Sequence, residues 1–453
     1  MRIDDARSAA YDLLYEVGAG DAYANLVMPQ IIEHYELAGR DAAFATELGF
    51  GTLRLRGLLD AVLSRCADRT LSRIEPPVLD VLRLGAYQLL AMRVPAHAAV
   101  ATSVELSRRV TRNNASGLVN AVLRKVAAND REQWEALIGD SEDPAAALAA
   151  KYSHPAWQIR ALSDALAGHS DELPELLAVN NTAPDVTLVA RPGACTVEDL
   201  MRAAPTEPGR WSPYAVRMQG VVPGALADVA RGRAAVQDEG SQLVALALAT
   251  ADVDGADEQW LDLCAGPGGK AGLLASLVAA RGGHLTAVEP QEHRADLVRK
   301  TLRGVPGRHS VQVADGTKFT GTFDRVLADV PCTGLGVLRR RPESRWRREP
   351  ADVAALAPLQ RALLRNAIAC TRPGGVIGYS TCSPHLAETE LVISAVVAEG
   401  GVELLDAREI ASRIPGLHNP EEFDASTDSG PFLRLWPHRH GTDGMFLALL
   451  RRR

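Results

Sequence analysis

The chain has 453 residues, 47% of them hydrophobic and 23% charged, and its formal net charge is −7. This length exceeds that of one ordinary domain, and the apolar fraction is sufficient for several buried cores. The acidic balance excludes nucleic-acid binding driven by overall positive charge, so any such binding must come from local basic patches.

Residues 1–140 are predicted to form an all-α bundle. Apolar side chains recur there at spacings of three and four, which is typical of amphipathic helices, and strand-like alternation is nearly absent. The predicted helices are Ala6–Gly18, Asp41–Arg65, Pro77–Met92, Ala98–Thr111 and Gly117–Ala128.

Two shorter regions follow the bundle. Residues 141–175 are predicted to be a helical linker, which includes the Ala-, Asp- and Glu-rich stretch Ser141–Ala150. Residues 176–235 combine the strands Val186–Ala190 and Ala215–Met218 with the helix Val197–Ala204. This mixture predicts a small α+β module of the RRM-like kind.

Residues 236–453 alternate between apolar strands and amphipathic helices, which predicts a largely parallel, doubly wound α/β sheet of the Rossmann-like kind. The predicted strands are Gln259–Leu263, His284–Val288, Val311–Val313, Phe323–Ala328, Gly375–Tyr379, Val402–Leu405 and Met445–Leu450. Helices predicted between them include Gly269–Ala280, Arg294–Arg303, Ala351–Cys370 and Leu386–Glu399.

The six cysteines contain no C-x-x-C pair and no zinc-type spacing with histidines. We therefore expect neither a disulfide framework nor a metal site. We expect the protein to reside in a reducing compartment. The N-terminus has early acids instead of an apolar secretory core, and no run reaches the roughly 18–20 apolar residues of a membrane span. These features predict a cytoplasmic protein without a membrane partner. They leave the oligomeric state open, and a monomer is the default expectation.

A glycine-rich loop follows the first strand of the α/β region. Its sequence is Leu261-Asp-Leu-Cys-Ala-Gly-Pro-Gly-Gly-Lys270, and it opens a helix whose N-terminus offers unpaired N–H donors. A phosphate-binding P-loop is excluded because Cys264 and Ala271 replace the required Gly and Ser/Thr. A dinucleotide site matches only loosely, as G-x-G-x-x-A, and an ordinary strand–helix turn is the simplest alternative.

The third ligand interpretation of this loop is an adenosine cofactor without a pyrophosphate, namely S-adenosylmethionine. Glu289 ends the next strand, where an acid can hold both ribose hydroxyls, and Asp315 follows the third strand. Acids at the ends of consecutive strands suit an adenosine pocket, and Lys270 can pair with the methionine carboxylate. The candidate cofactor residues are Cys264, Ala265, Gly266, Pro267, Gly268, Gly269, Lys270, Glu289, Asp315 and Asp329.

Two cysteines come directly after strands of this sheet. Cys332 lies in Asp329-Val-Pro-Cys332 and Cys382 lies in Ser380-Thr-Cys-Ser-Pro384. If their strands are parallel neighbours, both thiols lie at the carboxyl edge of one sheet, where open α/β sheets bind ligands. The simplest alternative for either cysteine is a small buried apolar residue.

Two thiols at such an edge fit methylation of carbon 5 of cytosine. Addition of a thiolate to carbon 6 makes carbon 5 nucleophilic, and the adduct must later lose the carbon 5 proton and the thiol. A cysteine at a sheet edge or helix N-terminus can have a lowered pKa, which favours the thiolate. Asp329, three residues before Cys332, is placed to contact the pyrimidine edge.

These motifs resemble those of the RNA (cytosine-5)-methyltransferases, in particular the Sun/Fmu branch of 16S ribosomal RNA methyltransferase B type with an N-terminal NusB-like domain. The catalytic-half segments that carry the resemblance are Gln237–Gln242, Leu261–Lys270, Asp329–Gly336, Tyr379–Pro384, Arg434–His438 and Gly441–Phe446. The N-terminal segments are Arg83–Leu90, Pro95–Val100 and Leu118–Arg124, which resemble the NusB-like helical domain.

The resemblance implies a role for each matching position. Cys382 is then the nucleophile, Cys332 assists release of the product, and Asp329 bridges cofactor and base. The residues from Cys264 to Lys270, with Glu289 and Asp315, then surround S-adenosylmethionine.

An arginine-rich segment directly after the Pro-Cys motif is the predicted RNA-contacting surface. Guanidinium groups beside an aromatic ring suit phosphate contact and base stacking, whereas a solvated charged loop is the alternative. The predicted RNA-binding residues are Arg339, Arg340, Arg341, Arg345, Trp346 and Arg347.

Together these features predict an S-adenosylmethionine-dependent RNA (cytosine-5)-methyltransferase whose partner is RNA, 16S ribosomal RNA or a small-subunit precursor. A tRNA cytosine-5 methyltransferase is one alternative, and a NusB-like RNA-binding factor with an inactive methyltransferase domain is another. DNA cytosine methylation is disfavoured because those enzymes use the Pro-Cys thiol and do not need a second one at Cys382.

Overall fold

The computed structural model describes residues 4–20, 22–111, 114–140, 142–218, 223–423 and 430–453, so Ser141 of the predicted linker lies outside the described residues. The chain forms two compact units. Unit 1 comprises Met1–Arg160, Leu177–Ala183 and Leu338–Arg347, and unit 2 comprises Ala161–Leu176, Pro184–Val337 and Arg348–Arg453. Both units are discontinuous in sequence, unlike the four continuous domains that the sequence predicts.

The described residues contain α-helices along the whole chain. Those of the N-terminal half are α1 Asp5–Ala19, α2 Ala24–His34, α3 Gly39–Arg54, α4 Arg56–Cys66, α5 Pro76–Leu90, α6 Ala96–Val110, α7 Ser116–Val126, α8 Arg131–Gly139, α9 Pro144–Lys151, α10 Ala156–Ala165 and α11 Leu173–Val179. The remaining helices are α12 Val197–Ala203, α13 Ala227–Ala230, α14 Glu239–Thr250, α15 Gly269–Ala279, α16 Glu292–Leu302, α17 Ser344–Arg347, α18 Pro350–Cys370, α19 Glu390–Val397, α20 Ala407–Ser412 and α21 Pro437–His440.

Unit 1 is helical in its described part, as the sequence predicts. Helix α1 begins after Asp4, whose carboxylate accepts the Ala6 N–H, and α8 begins with a capping box of Asp130 and Gln133. The helices bury a common apolar core. The predicted helix Asp41–Arg65 is wrong in one respect, because the chain breaks at the buried Leu55 into α3 and α4 without a proline there.

The strands of the described residues lie in unit 2. They are β1 Val186–Ala190, β2 Thr206–Pro208, β3 Ala215–Met218, β4 Ala234–Val236, β5 Gln259–Asp262, β6 His284–Val288, β7 Arg308–Gln312, β8 Phe323–Asp329, β9 Thr371–Thr381, β10 Val402–Leu405, β11 Leu433–Leu435 and β12 Met445–Arg452. The first four form an antiparallel sheet in the order β2-β3-β1-β4, which is the small module. The sequence pattern missed β2, β4 and β11, because three-residue strands carry too little alternation to be recognised.

The large sheet has the order β10-β12-β9-β8-β5-β6-β7, with β11 paired to β12. Strands β5 to β9 are parallel, whereas β12 runs antiparallel to β9, β10 and β11. Apolar clusters cover both faces of the sheet. The result is a Rossmann-like α/β fold with a mixed sheet. The strand order reverses at β5, which pairs with β6 on one side and β8 on the other, so a ligand crevice opens at its carboxyl end.

Candidate functional site

Both motif cysteines lie at the carboxyl edge of the large sheet, as the sequence predicts. Strands β8 and β9 are parallel neighbours, and Asp329 at the end of β8 is opposite Ser380 in β9. Cys332 and Cys382 follow these positions, and their Sγ atoms are 3.4 Å apart. Both thiols are half-buried, so they remain accessible to a reactant in the crevice.

The two cysteine loops are fixed to each other through the main chain. The Gly336 N–H donates to the carbonyl of Cys382 at 2.8 Å, and the Gly444 N–H donates to the carbonyl of Gly336 at 2.8 Å. A Cβ atom at Gly336 would lie 2.0 Å from the carbonyl oxygen of Gly444, so only glycine allows this approach. The separation of the two thiols is therefore set by backbone contacts.

The surroundings of Cys332 favour its protonated form. The hydrogen bond with Cys382, burial and the charge of Glu388 together raise the pKa of Cys332 well above its ordinary value. A raised thiol pKa means that Cys332 holds its proton near neutral pH and that its thiolate, once formed, is a strong base.

A lysine–carboxylate pair lies beside the thiols. Lys270 Nζ is 2.8 Å from Asp329 Oδ2, and the Ser380 hydroxyl donates to Asp329 Oδ1 at 2.6 Å. Burial would lower the pKa of Lys270, but the adjacent Asp329 outweighs it and the pKa is raised. Lys270 is therefore a firmly charged ammonium group that fixes the carboxylate of Asp329 at the sheet edge.

Asp262, which lies in the Leu261–Lys270 motif but is not among the predicted site residues, also belongs to this site. It is the last residue of β5 and is 1% exposed. Burial and the charge of Asp329 raise the pKa of Asp262 to about 7, and its Oδ1 accepts the Cys264 N–H at 3.3 Å. Its position inside a strand gave no sign of this role, because the raised pKa depends on three-dimensional burial.

The glycine loop joins β5 to α15 and lies against Glu289. Gly268 has a φ of 113° at the start of α15, in the region that favours glycine. A Cβ atom at Gly266 would lie 2.1 Å from Glu289 Oε2. The Glu289 carboxylate is almost fully buried, accepts the Gln291 N–H at 3.1 Å and lies 3.6 Å from Arg294 Nε. The loop Ala265–Gly269 thus passes directly over this acid.

Two other predicted cofactor residues lie at different depths. Asp315 follows β7 and is exposed. Its Oδ1 accepts two hydrogen bonds from Thr317, one from the main-chain N–H at 2.9 Å and one from the side-chain hydroxyl at 2.7 Å. Cys264 is half-buried against the apolar cluster of the sheet, and burial raises its pKa well above the ordinary value. Cys264 is therefore a neutral packing residue of the loop.

The surroundings of Gln237, the first residue of the Gln237–Gln242 motif, indicate whether a ligand fits beside the loop Ala265–Gly269. Its Oε1 atom is buried and has no hydrogen-bond partner within the described ranges, whereas Nε2 donates to Ser241 Oγ at 3.1 Å. A Cβ atom at Gly269 would lie 4.0 Å from the Gln237 carboxamide carbon. A buried acceptor without a donor needs a partner, so the loop surroundings fit a cofactor that carries a donor such as an ammonium group.

The arginine-rich segment belongs to unit 1, and the structure corrects part of the RNA-contact prediction. Arg345 is 0% exposed, and its guanidinium is directed at main-chain and side-chain oxygens inside the unit. The acceptors are the carbonyls of Arg54 (2.9 Å), Ser153 (3.1 Å) and Asn180 (2.6 Å), and Asn181 Oδ1 (2.6 Å). The prediction of RNA contact is therefore wrong for Arg345, because a buried and hydrogen-bonded guanidinium cannot reach a phosphate.

The neighbours of Arg345 are also partly packed inside unit 1. Trp346 is half-buried with the guanidinium of Arg56 5.4 Å from its ring, and Arg347 donates to the carbonyls of Val17 (2.6 Å) and Ala22 (2.7 Å). Arg339 is 6% exposed, and Arg340 and Arg341 are half-buried. RNA contact by these five residues stays a prediction.

Comparison with known proteins identifies the class. Residues 248–451 match the family model described as 16S rRNA methyltransferase RsmB/F, and residues 4–128 match the NusB family model. "Putative methyltransferase Rv1407" of Mycobacterium tuberculosis is 51% identical over 99% of this chain and 97% of its own. The "Probable ribosomal RNA small subunit methyltransferase B" of Bacillus subtilis is 30% identical over 100% of both chains.

Solved structures share the fold. The crystal structure of PH0851 superposes with a TM-score of 0.79 at 20% identity, covering 100% of this chain and 99% of that one. NSun6 from Pyrococcus horikoshii, solved with SFG, has a TM-score of 0.52 at 19% identity and covers 65% of this chain and 97% of that one. At these identities the similarity concerns the fold alone.

The chain therefore belongs to the family of 16S rRNA methyltransferases RsmB/F, with an N-terminal NusB domain, and is a methyltransferase that acts on RNA. This confirms the resemblance found in the sequence motifs. No helix in the described part of the chain is long and apolar enough to cross a membrane.

Proposed function

We propose that the protein methylates carbon 5 of a cytosine in 16S ribosomal RNA through a covalent cysteine–pyrimidine adduct, with S-adenosylmethionine as the methyl donor. The observation that carries this proposal is the pair of thiols 3.4 Å apart beside the Lys270–Asp329 pair at the carboxyl edge of the sheet. Carbon 5 of cytosine is a poor nucleophile until a thiolate adds to carbon 6, so this reaction needs one thiol to add and a base to remove a proton.

Cys382 is the proposed nucleophile. Its Sγ forms a bond to carbon 6, and the ring electrons shift toward carbon 5, which then accepts the methyl group. Asp329, which Lys270 and Ser380 hold, is proposed to contact the pyrimidine edge and to steady the ring during addition. Because Lys270 and Ser380 already hold the Asp329 carboxylate, it does not have to change its position when the ring binds.

Cys332 is the proposed base of the second half of the reaction. Cys332 first loses its own proton to solvent, and the resulting thiolate takes the proton from carbon 5. The electron pair of the C–H bond forms the carbon 5–carbon 6 double bond, and the bond between carbon 6 and Cys382 Sγ breaks with sulfur leaving as a thiolate. The 3.4 Å separation of the two sulfur atoms supports this division of roles, because Cys332 Sγ then lies close to the carbon next to the one that Cys382 binds.

S-adenosylmethionine, when bound, supplies an electrophilic methyl group on its sulfonium centre. Glu289 is proposed to hold the ribose, the loop Ala265–Gly269 to lie against the adenosine, and the buried Gln237 Oε1 to accept a donor of the methionine part. NSun6 from P. horikoshii, which has the same fold, was solved with SFG, an analogue of this cofactor, and that is consistent with the proposal.

The chemistry is tested with two cysteine variants and RNA plus S-adenosylmethionine. Cys382→Ala should abolish methyl transfer and retain cofactor binding, whereas Cys332→Ala should accumulate a denaturant-stable protein–RNA adduct. Cys195→Ala, which removes a buried thiol in the small module, is the matched control and should behave as the wild type. Retained methyl transfer by Cys382→Ala would refute the nucleophile assignment.

The RNA target is tested separately. Bisulfite mapping of ribosomal and transfer RNA from a strain that lacks the protein should show one cytosine of 16S rRNA that loses its 5-methyl group. Loss of a modified cytosine in tRNA alone would instead favour the tRNA alternative.

A further inference from the structure

We propose that Glu388 is a positioning residue that fixes the Cys332 loop for the release step. The inference rests on the proposed function, because it assigns Glu388 to the half-reaction in which Cys332 removes the carbon 5 proton. Glu388 lies outside the sequence motifs and outside the residues to which the family resemblance assigns a role.

Glu388 follows the Cys382 motif in the chain and contacts the Cys332 loop. It ends the short 3-10 turn Leu386–Glu388, six residues after Cys382, and is 0% exposed. Its Oε1 accepts the main-chain N–H of Thr333 at 2.8 Å, and its Oε2 accepts the Thr333 hydroxyl. The carboxylate thus makes two hydrogen bonds to the residue directly after Cys332.

The residue before Cys332 is held by the same network. Gln360 Nε2 donates to the carbonyl of Pro331 at 2.9 Å and to Glu388 Oε1 at 3.2 Å. Hydrogen bonds therefore fix both neighbours of Cys332, and they converge on one carboxylate.

Glu388 is itself held in place. The Tyr379 hydroxyl donates to the Glu388 carbonyl at 2.7 Å, and the hydroxyls of Thr333 and Ser383 are 3.3 Å apart. Ser383 follows Cys382 directly, so the network joins the two cysteine motifs through side chains as well as through the main chain.

The partners of this buried carboxylate are neutral. Within the described ranges its side chain accepts hydrogen bonds from Thr333 and Gln360, and no lysine or arginine lies at ion-pair distance. Burial of a carboxylate without a cation is costly, and an uncharged or apolar residue would be the cheaper choice for packing alone. Hydrogen bonds to an ionised acceptor are shorter and stronger than neutral ones, which suits a loop that must be held tightly.

The release step explains why tight positioning is needed. Cys382 Sγ is bonded to carbon 6 while Cys332 Sγ must reach the proton on the adjacent carbon 5, so the two sulfur atoms have to stay close throughout. A displacement of about 1 Å can slow such a step by roughly 100-fold. Loosening the Cys332 loop should therefore slow release more than adduct formation, since Cys382 lies on the other loop.

The test compares Glu388→Gln with the pair Thr333→Val and Thr333→Ser in single-turnover reactions with RNA and S-adenosylmethionine. Glu388→Gln keeps the side-chain shape and removes the charge, Thr333→Val removes the hydroxyl donor, and Thr333→Ser retains it. Glu399→Gln is the control, because Glu399 is an exposed acid of the same unit that pairs with Arg365. The readouts are the rate of product release and the amount of denaturant-stable RNA adduct.

We expect Glu388→Gln and Thr333→Val to release product about tenfold or more slowly and to accumulate adduct, as Cys332→Ala does, whereas Thr333→Ser and Glu399→Gln should match the wild type. A purely structural role would lower cofactor binding and adduct formation together and leave no adduct behind. If Glu388→Gln does not fold, the comparison of Thr333→Val with Thr333→Ser tests the positioning role of Glu388.

Two results would overturn the inference in different ways. Adduct in Cys332→Ala but none in Glu388→Gln or Thr333→Val would refute the role of Glu388 and leave the proposed function standing. Absence of adduct in every variant, together with methyl transfer by Cys382→Ala, would refute the proposed function and this inference with it.

Discussion

Asp262 is predicted to lower the stability of the folded state at neutral and alkaline pH, because its carboxylate is buried beside Asp329. Its carboxyl group is 1% exposed, and burial followed by the charge of Asp329 raises its pKa from 3.8 to about 7. Asp262→Asn keeps the size and the oxygen that accepts the Cys264 N–H, but it cannot ionise. We therefore expect the variant to be more stable than the wild type at alkaline pH.

The size of this effect follows from the two pKa values. The carboxyl group of Asp262 binds a proton more tightly in the folded state than in the unfolded state. The wild type therefore loses stability as pH rises from about 4 to about 7, and this loss does not increase further above about pH 7. The full loss is of the order of 4 kcal/mol, since each pKa unit corresponds to about 1.4 kcal/mol. Between pH 5.5 and pH 8 the advantage of the variant should grow by about 2 kcal/mol.

The assay is urea unfolding of both proteins at pH 5.5 and pH 8, followed by tryptophan fluorescence. Asp252→Asn is the control, because Asp252 is an acid of the same unit with 75% of its side chain exposed, beside Arg413. Its stability difference from the wild type should be the same at both pH values. An equal difference for Asp262→Asn at the two pH values, or a variant that is less stable at pH 8, would refute the reasoning.

Three further changes probe the cofactor pocket and unit 1. Gln237→Leu should weaken binding of S-adenosylmethionine about tenfold in calorimetry, because the proposed donor of the cofactor loses the buried Oε1 acceptor; unchanged affinity would contradict that contact. Glu289→Ala should weaken the same binding by tenfold or more, and an unchanged dissociation constant would refute the ribose contact. Arg345→Met should lower the free energy of unfolding by about 3 kcal/mol or more, because four oxygen acceptors lose their donor; a difference below about 1 kcal/mol would show that the guanidinium is dispensable.

The sequence predicted the positions of the thiols because a simple rule connects strands to sheet edges. Apolar runs before Asp329 and before Ser380 indicated buried strands, and parallel neighbours end at the same edge. The 3.4 Å separation of the two sulfur atoms needed more than this rule, since it depends on the contact between Gly336 and Gly444 more than 100 residues later.

Asp262 and Glu388 were missed for a different reason. Nothing in the local pattern separates them from ordinary acids at a strand end and in a helical turn. What gives each a role is burial beside a particular partner, Asp329 for the first and Thr333 for the second.

The arginine-rich segment shows where charge pattern and structure disagree. Six arginines around Trp346 indicate a nucleic-acid surface when only the sequence is considered. The sequence shows that these side chains are charged, but it does not show which of them are buried. Arg345 can be buried without a carboxylate because its two terminal guanidinium nitrogens donate to all four oxygens that surround them, although Nε has no hydrogen-bond partner among the described residues. The cost of burial appears instead in a pKa lowered to about 9.

This packing also changes how the NusB domain should be tested. Leu338–Arg347 belongs to the same compact unit as the N-terminal helices, although it follows the Pro-Cys motif in sequence. Deletion of residues 1–140 would therefore remove the carbonyl of Arg54 from Arg345 and the ring contact of Arg56 from Trp346, and would expose an apolar and charged segment. Loss of activity in such a truncation would not demonstrate RNA binding by the domain. Charge-removing substitutions on exposed arginines of unit 1, such as Arg108→Gln, leave this packing intact and isolate the contribution of the surface, since that side chain is 61% exposed.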